Sequence, residues 1–164
     1  MRRGETMKLS TRARYSIRLM VYLADHTDDP DNPKPIQLRE IADNQKLSLR
    51  YLEQLVMPLR SAGLVKSVLG KNGGYMLIRQ PQDIIVNEIV EASIGHIQLL
   101  DCLDQDADCV FSDECGSRRM WNIINERIVD VLKDYTLADL SEKTMRSKHY
   151  EKSGANTRAD KETC

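Results

Sequence analysis

The sequence has few aromatic residues and no long apolar run. Its 164 residues include one tryptophan and one phenylalanine. No apolar run reaches the roughly eighteen residues that a membrane-spanning helix needs. The basic start, Met1–Thr6, is not followed by the apolar stretch of a signal peptide. Since 41% of the residues are hydrophobic, a modest core is possible. We therefore expect a globular protein of the cytoplasm.

Motifs of catalysis are also missing. The sequence has no glycine-rich loop of the nucleotide-binding type, no nucleophile elbow, and no acid and base paired on one rigid element. We expect a protein that is not an enzyme.

The net charge of −1 conceals two oppositely charged parts. Residues 1–80 carry 14 Lys and Arg against 8 Asp and Glu, whereas residues 81–140 carry 4 against 13. A basic segment suits contact with the phosphates of DNA, because that contact is electrostatic and independent of base sequence. The simpler interpretation, that both parts are solvated faces, stays open on charge alone.

Apolar residues recur at helical intervals over 9–24, which predicts a first helix with Ser10 or Thr11 as its N-cap. A loop rich in Asp and Pro follows at 27–35.

The next elements have the order of a helix-turn-helix. A short helix over 38–42 leads through a turn to a second helix, which Ser48 caps. Pro58 lies inside this second helix and should kink it or end it early. Gly63 should close it as the residue after the C-cap.

A hairpin and two further helices complete the predicted fold. Residues 64–68 and 75–78 read as strands around a glycine-rich turn, and 84–94 reads as a helix. The predicted fold is mostly α with a small β-hairpin wing, that is, a winged helix-turn-helix followed by a long C-terminal dimerisation helix. We divide it into a DNA-binding domain (7–80), a cysteine-bearing sensor loop with the dimer helix (81–140), and a polar tail that we expect to be disordered (141–164).

In a winged helix-turn-helix the second helix of the pair enters the major groove of double-stranded DNA. Its N-terminal side here offers Ser48, Arg50, Tyr51, Glu53 and Gln54, and side chains of these types can bond base edges. The hairpin adds three further candidates for DNA contact: Lys71, Gly73 and Gly74. The competing interpretation is an ordinary polar face of an amphipathic helix.

The long helix begins at Ser117 and carries apolar residues at intervals of three and four, which is the spacing of a seam against a partner helix. The seam consists of Trp121, Ile124, Ile128, Val131 and Tyr135. We expect a homodimer through this helix. Packing within one chain is the alternative.

Three of the four cysteines, Cys102, Cys109 and Cys115, fall within fourteen positions just before the long helix. In a reducing compartment such a group is more often metal-binding or redox-active than a disulfide framework. An iron–sulfur cluster is the favoured interpretation, because thiolates are its usual ligands. A thiol switch, a zinc site and no role stay open. We give Cys164, the last residue, no role.

Four segments resemble the IscR/NsrR/CymR family of bacterial transcription regulators: Met7–Tyr15, Ser48–Leu55, Leu59–Val65 and Gly73–Tyr75. The resemblance covers 7–140. It implies a homodimeric regulator, most simply a repressor, that binds near-palindromic promoter DNA. It also implies base reading by Glu53 and Gln54 with Arg50 facing DNA, and for many members a 2Fe–2S or 4Fe–4S cluster in the loop before the dimer helix.

Three positions depart from the family pattern. Leu69 stands where the family often has an arginine for the minor groove, and Lys71 is the available substitute. Arg118 and Arg14 stand where some members carry a fourth cluster ligand, so that ligand stays open. The alternative function is a cluster-free thiol-switch regulator or a protein-interaction module of the same fold.

Overall fold

The computed structural model describes residues 10–26, 34–103 and 115–141. Its helices are α1 (Thr11–Asp25), α2 (Leu38–Gln45), α3 (Leu49–Ser61), α4 (Val86–Ile94), α5 (Gly116–Lys133) and α6 (Leu137–Leu140). One antiparallel hairpin joins β1 (Val65–Val68) to β2 (Gly74–Leu77). The predicted fold class, mostly helical with a hairpin and a long helix near the C-terminus, is confirmed. Cys109, the tail beyond Ser141 and most of the predicted 27–35 loop lie outside the described residues.

The ends of α3 are fixed by local chemistry. The hydroxyl of Ser48 accepts a hydrogen bond from the backbone N–H of Tyr51, as predicted for an N-cap. At the other end Gly63 has φ +71° and its N–H donates to the Arg60 carbonyl, while the N–H of Leu64 donates to the Leu59 carbonyl. These two bonds form the glycine closure that the sequence predicted.

The expectation that Pro58 could end α3 early is wrong, because the helix continues to Ser61. Proline removes one hydrogen bond, that to the Gln54 carbonyl. The burial of Leu59 inside the core and the bonds after it keep the last turn in place. At α1 the N-cap position is Ser10, but its side chain makes no capping bond.

The hairpin is extended by a third stretch of chain. Ile36 pairs with Tyr75, the N–H of each residue donating to the carbonyl of the other at 2.9 and 2.8 Å. This pairing brings the backbone of Ile36 against Gly74, where an added Cβ would lie 2.3 Å from the Ile36 carbonyl oxygen. At Gly73 an added Cβ would lie 2.2 Å from the Val68 carbonyl oxygen. The glycine pair is therefore required by packing within the chain.

The hydrophobic core draws on nearly the whole described chain. Its fully buried large side chains are Leu19, Met20, Leu23, Ile41, Leu52, Leu55, Val56, Leu59, Leu64, Ile84, Ile89 and Leu137. The core thus spans both sides of residue 80. The division of the chain at 80 into DNA-binding and sensor parts stays a prediction about function.

Helix α5 packs differently from the others, because none of its residues is buried. It contacts α4 and the short turn Asp101–Leu103. The backbone N–H of Leu99 donates to the side-chain carbonyl of Asn125 at 3.1 Å. Beyond α5 the chain turns back into the core: the N–H of Val86 donates to the Tyr135 carbonyl at 2.9 Å, and the N–H of Leu137 donates to the Ile84 carbonyl at 2.8 Å.

None of the described helices is long and apolar enough to span a membrane.

We predict that Gly74→Ala lowers the free energy of unfolding by about 1–3 kcal/mol, because the new methyl group overlaps backbone that no side-chain rotation can clear. Urea denaturation followed by circular dichroism measures this. Gly116→Ala is the matched control, since an added Cβ there has no heavy atom within 4 Å. Equal stability of the Gly74 variant and the parent would show that Ile36 is not held against the hairpin.

Candidate nucleic-acid interface and cysteine segment

Helix α3 has one buried and one exposed face. Leu52, Leu55, Val56 and Leu59 point into the core. Arg50, Glu53 and Gln54 are exposed, and their spacing of three and four residues puts them on one side of the helix. Guanidinium, carboxylate and amide groups on one helix side can bond guanine, cytosine and adenine edges respectively. Ser48, at the N-cap, is exposed as well.

Tyr51 is held by α1 instead of standing free on this face. Its half-buried ring meets the ring of Tyr15 edge to face, with ring centres 5.9 Å apart. The guanidinium groups of Arg14 and Arg18 lie over the Tyr15 ring at 4.8 and 5.5 Å, which is cation–π distance. The ring of Tyr51 therefore serves to fix α3 against α1, and DNA contact by this residue stays a prediction.

The turn of the helix-turn-helix is connected to the same aromatic pair through Arg18. Arg18 donates from Nε to Oε1 of Gln45, the last residue of α2, at 2.8 Å. Lys46 then adopts a left-handed conformation with φ +55°, and the N–H of Leu47 donates to the Ala42 carbonyl. Sequence reasoning missed this network, because it joins residues 27 or more positions apart whose pairing no local pattern signals.

The wing tip is exposed and carries one cation. Lys71 and Asn72 are exposed, and Leu69 is 94% exposed. Gly73 donates its N–H to the Gly70 carbonyl at 3.0 Å, and Gly74 belongs to β2. The predicted DNA contact of the two glycines stays untested, and packing within the chain already accounts for their identity.

A groove of about 370 Å³ lies between the start of α1 and the outer side of α3. It is lined by Arg12, Tyr51, Gln54, Leu55, Met57 and Pro58. Gln54 therefore stands at the border between the groove and the exposed face of α3. The sequence analysis did not find this groove, because it arises from the packing of two helices far apart in the chain.

Two of the three predicted cysteines flank the segment 104–114, and both are half-buried free thiols. Cys102 lies in the turn Asp101–Leu103, and Cys115 is the N-cap residue of α5. The hydroxyl of Ser117, 3.1 Å from Cys115 Sγ, and the backbone N–H of Arg118 lower the pKa of the Cys115 thiol below its ordinary value. A lowered pKa favours the thiolate, which is the form of cysteine that binds metals. Cys109 lies outside the described residues.

Apolar side chains of α5 are exposed on one side of the helix. Met120, Ile123, Val131 and the following Tyr135 are between 49% and 55% exposed, and Ile124 is 36% exposed. Of the predicted seam, Trp121 and Ile128 are half-buried within the chain. The predicted seam thus lies partly on the exposed apolar face, with Ile124, Val131 and Tyr135, and partly against the chain, with Trp121 and Ile128.

A family model described as "Rrf2: Iron-dependent Transcriptional regulator" matches residues 9–143. The chain belongs to the Rrf2 family. It is 38% identical over 138 residues to the HTH-type transcriptional regulator CymR of Bacillus subtilis, which covers 84% of this chain and 92% of CymR. It is 37% identical over 134 residues to the HTH-type transcriptional regulator IscR of Vibrio atlanticus, covering 82% and 75%.

Solved structures agree with this assignment. The structure of CymR, described as the global cysteine regulator of B. subtilis, superposes with a TM-score of 0.69 at 37% identity, covering 85% of this chain and 99% of that one. This Rrf2 chain is thus a DNA-binding transcriptional regulator and not an enzyme, as the sequence predicted.

Proposed function

We propose that the protein is a homodimeric repressor that reads a near-palindromic operator with one α3 helix in each half-site. The observation that carries this proposal is the exposed trio Arg50, Glu53 and Gln54 on the second helix of the helix-turn-helix, in a chain of the Rrf2 family. These three side chains supply donors and acceptors for base edges. Two copies related by a two-fold axis read two half-sites about one helical turn apart.

The wing adds an electrostatic contact with DNA to the contacts made by α3. Lys71 is exposed at the tip and supplies a positive charge to phosphate, while Ser48 and the N-terminal turn of α3 face the same DNA. Gly74 lets the hairpin lie close against Ile36, and Gly73 lets the turn close on Val68, so both glycines help to set the position of the tip.

The dimer follows from the apolar face of α5. Five large apolar side chains of one helix and its end are at least one-third exposed, and removing such a face from water is favourable. A second copy of α5 presents the same face, so a two-fold axis along the helix buries both at once.

The cysteine segment supports a redox-sensing role. Cys102 and Cys115 carry free thiols on either side of 104–114, and the lowered pKa of Cys115 suits a thiolate ligand. With Cys109 these residues would hold an iron–sulfur cluster, whose gain, loss or oxidation supplies the signal. Arg118 and Arg14 are not ligands, so the fourth ligand would come from elsewhere in the protein or from a small molecule.

A cluster-free thiol switch is the second candidate. Cys115 is partly exposed and the pKa of its thiol is lowered by the Ser117 hydroxyl, and both properties are typical of redox-reactive thiols. The solved oxidized form of CymR from Staphylococcus aureus, 34% identical to this chain, favours this candidate, whereas the words "Iron-dependent" in the family description favour an iron site.

We predict that Gln54→Ala or Glu53→Ala reduces the preference for operator over scrambled DNA by about 1–3 kcal/mol, because base contacts specify while phosphate contacts position. The operator is first selected from random duplexes, and binding is measured by fluorescence anisotropy at fixed salt. Gln82→Ala, an exposed glutamine outside α3, is the control. An unchanged preference in both α3 variants would remove this helix from base reading.

We predict that Val131→Glu weakens dimerisation by more than about a hundredfold, because two carboxylates would be buried against apolar side chains. Val131 is 55% exposed in the single chain, so the monomer should keep its fold. Sedimentation equilibrium measures the dimer dissociation constant, with Lys133→Glu on the polar side of α5 as the control. A parent protein that stays monomeric at micromolar concentration would contradict the dimer.

We predict that replacing Cys102, Cys109 or Cys115 by Ser abolishes iron and sulfide binding in anaerobically purified protein, because the hydroxyl is a poor ligand where iron prefers thiolate. Cys164→Ser is the control and should retain both. Iron, sulfide and the visible spectrum are measured together with operator binding. If the parent binds no iron but forms a disulfide among these residues under mild oxidation, the thiol switch is correct. Iron loss without any change in operator binding would show that a cluster exists but does not act as the signal.

A further inference from the structure

The groove between α1 and α3 adjoins the base-reading side of α3. Gln54 belongs to both, since it lines the groove and is exposed beside Glu53 and Arg50. When the major groove of DNA meets Gln54, the sugar-phosphate backbone beside it therefore lies over this groove of the protein. Because the groove continues the side of α3 that is proposed to read bases, DNA is the occupant that this position favours.

Arg12 supplies the charge of the groove. It is exposed, and no carboxylate of the described residues forms an ion pair with it. Its neighbours on α1 are engaged: Arg14 lies over the Tyr15 ring, and Arg18 lies over the same ring and bonds Gln45. The Arg12 guanidinium thus keeps its donors available for an anion, and a guanidinium matches phosphate oxygens in a bidentate manner.

The rest of the groove is apolar. Met57 is 53% exposed, Pro58 is half-buried, and Leu55 is buried below them. An apolar wall beside a single cation suits a group that is itself half apolar and singly anionic. A deoxyribose with its phosphate has this character, whereas a free inorganic anion gains nothing from Met57 and Pro58.

We propose that this groove receives one sugar-phosphate unit of the operator backbone, with Arg12 bonding the phosphate and Met57 packing on the sugar. The proposal rests on α3 being the reading helix. Arg12 then sets the register in which Gln54 meets its base, because phosphate contacts position the protein on the duplex and carry no base information themselves.

The test compares Arg12→Gln with Lys133→Gln, which removes the same charge from an exposed site on α5. Each phosphate contact adds about 0.9 to the slope of log affinity against log salt concentration. Arg12→Gln should therefore lower the slope by about 2 in a dimer. Its affinity loss should be about tenfold larger at 50 mM than at 200 mM salt. Selected operator and scrambled DNA should be affected alike. Lys133→Gln should leave the slope unchanged, because Lys133 belongs to α5 and lies outside the proposed DNA interface.

Two further variants test the charge of Arg12 and the groove separately. Arg12→Lys keeps the charge and should retain most of the slope. Met57→Glu places a carboxylate in the groove. It should weaken binding to both the operator and the scrambled DNA while Arg12 itself is unchanged. Behaviour of Arg12→Gln like that of Lys133→Gln would overturn the proposal, and so would a loss confined to the operator, which would make Arg12 a base contact. If Gln54→Ala also leaves the preference for operator unchanged, the reading helix itself is misassigned and the fault lies with the proposed function.

Discussion

The hydrogen bonds between residues 84–86 and 135–137 join the long helix to the rest of the molecule. They set Leu137 in the core, where it is fully buried, and α6 then packs against α1. Apart from this return, α5 is held by its partly exposed packing on α4, by contact with the turn Asp101–Leu103 and by the bond of Asn125 to Leu99. The C-terminal end of α5 is thus fixed in the DNA-binding core. Cys115 stands at the other end, about 27 Å away for an 18-residue helix.

In the proposed redox-sensing role, this arrangement is the path from the cysteines to α3. Helix α4 packs on α1, α3 and α5, and its residues Val86, Ile89 and Val90 are buried. A change in the position of α5 within one chain therefore reaches α3 through α4, or through the dimer partner. A signal at the cysteines shifts DNA binding only if its two states fit the DNA-competent arrangement differently. Because the core is close-packed, a small displacement of α4 must be transmitted and cannot be absorbed.

Local patterns predicted most of the fold, and long-range contacts account for what they missed. The face of α3 was predictable, because residues three and four apart share a side, and so was the closure at Gly63, where only glycine takes a positive φ without strain. The pairing of Ile36 with Tyr75 was not predictable, since nothing near Ile36 signals a strand. Gly73 and Gly74 were therefore named only as candidates for DNA contact, although an added Cβ at Gly74 would meet chain backbone.

In the candidate site, too, local patterns predicted some features and long-range contacts determine the others. Arg50, Glu53 and Gln54 follow from helical spacing, whereas the Tyr15–Tyr51 contact and the groove at Arg12 depend on how α1 crosses α3. The long helix was correctly predicted, whereas its apolar seam against a partner helix stays a prediction. Which part of that seam faces inward could not be predicted, because α5 packs against the chain with one side and exposes the adjoining one.

The lack of a cation at position 69 of the wing affects how positive charge is distributed over the proposed DNA interface. Leu69 is 94% exposed and brings no cation where the resemblance implies an arginine. A leucine there contributes nothing to counterion release, which is the sequence-independent part of DNA affinity. That part must come from other exposed cations, such as Lys71 on the wing and Arg12 in the groove beside α3. If both cations meet phosphate, as proposed, the two contacts constrain the rotation of α3 as well as its distance from the bases. Under the same proposal, leucine at position 69 leaves the electrostatic anchoring to Lys71 on the wing and to Arg12 at the start of α1, close to Gln54.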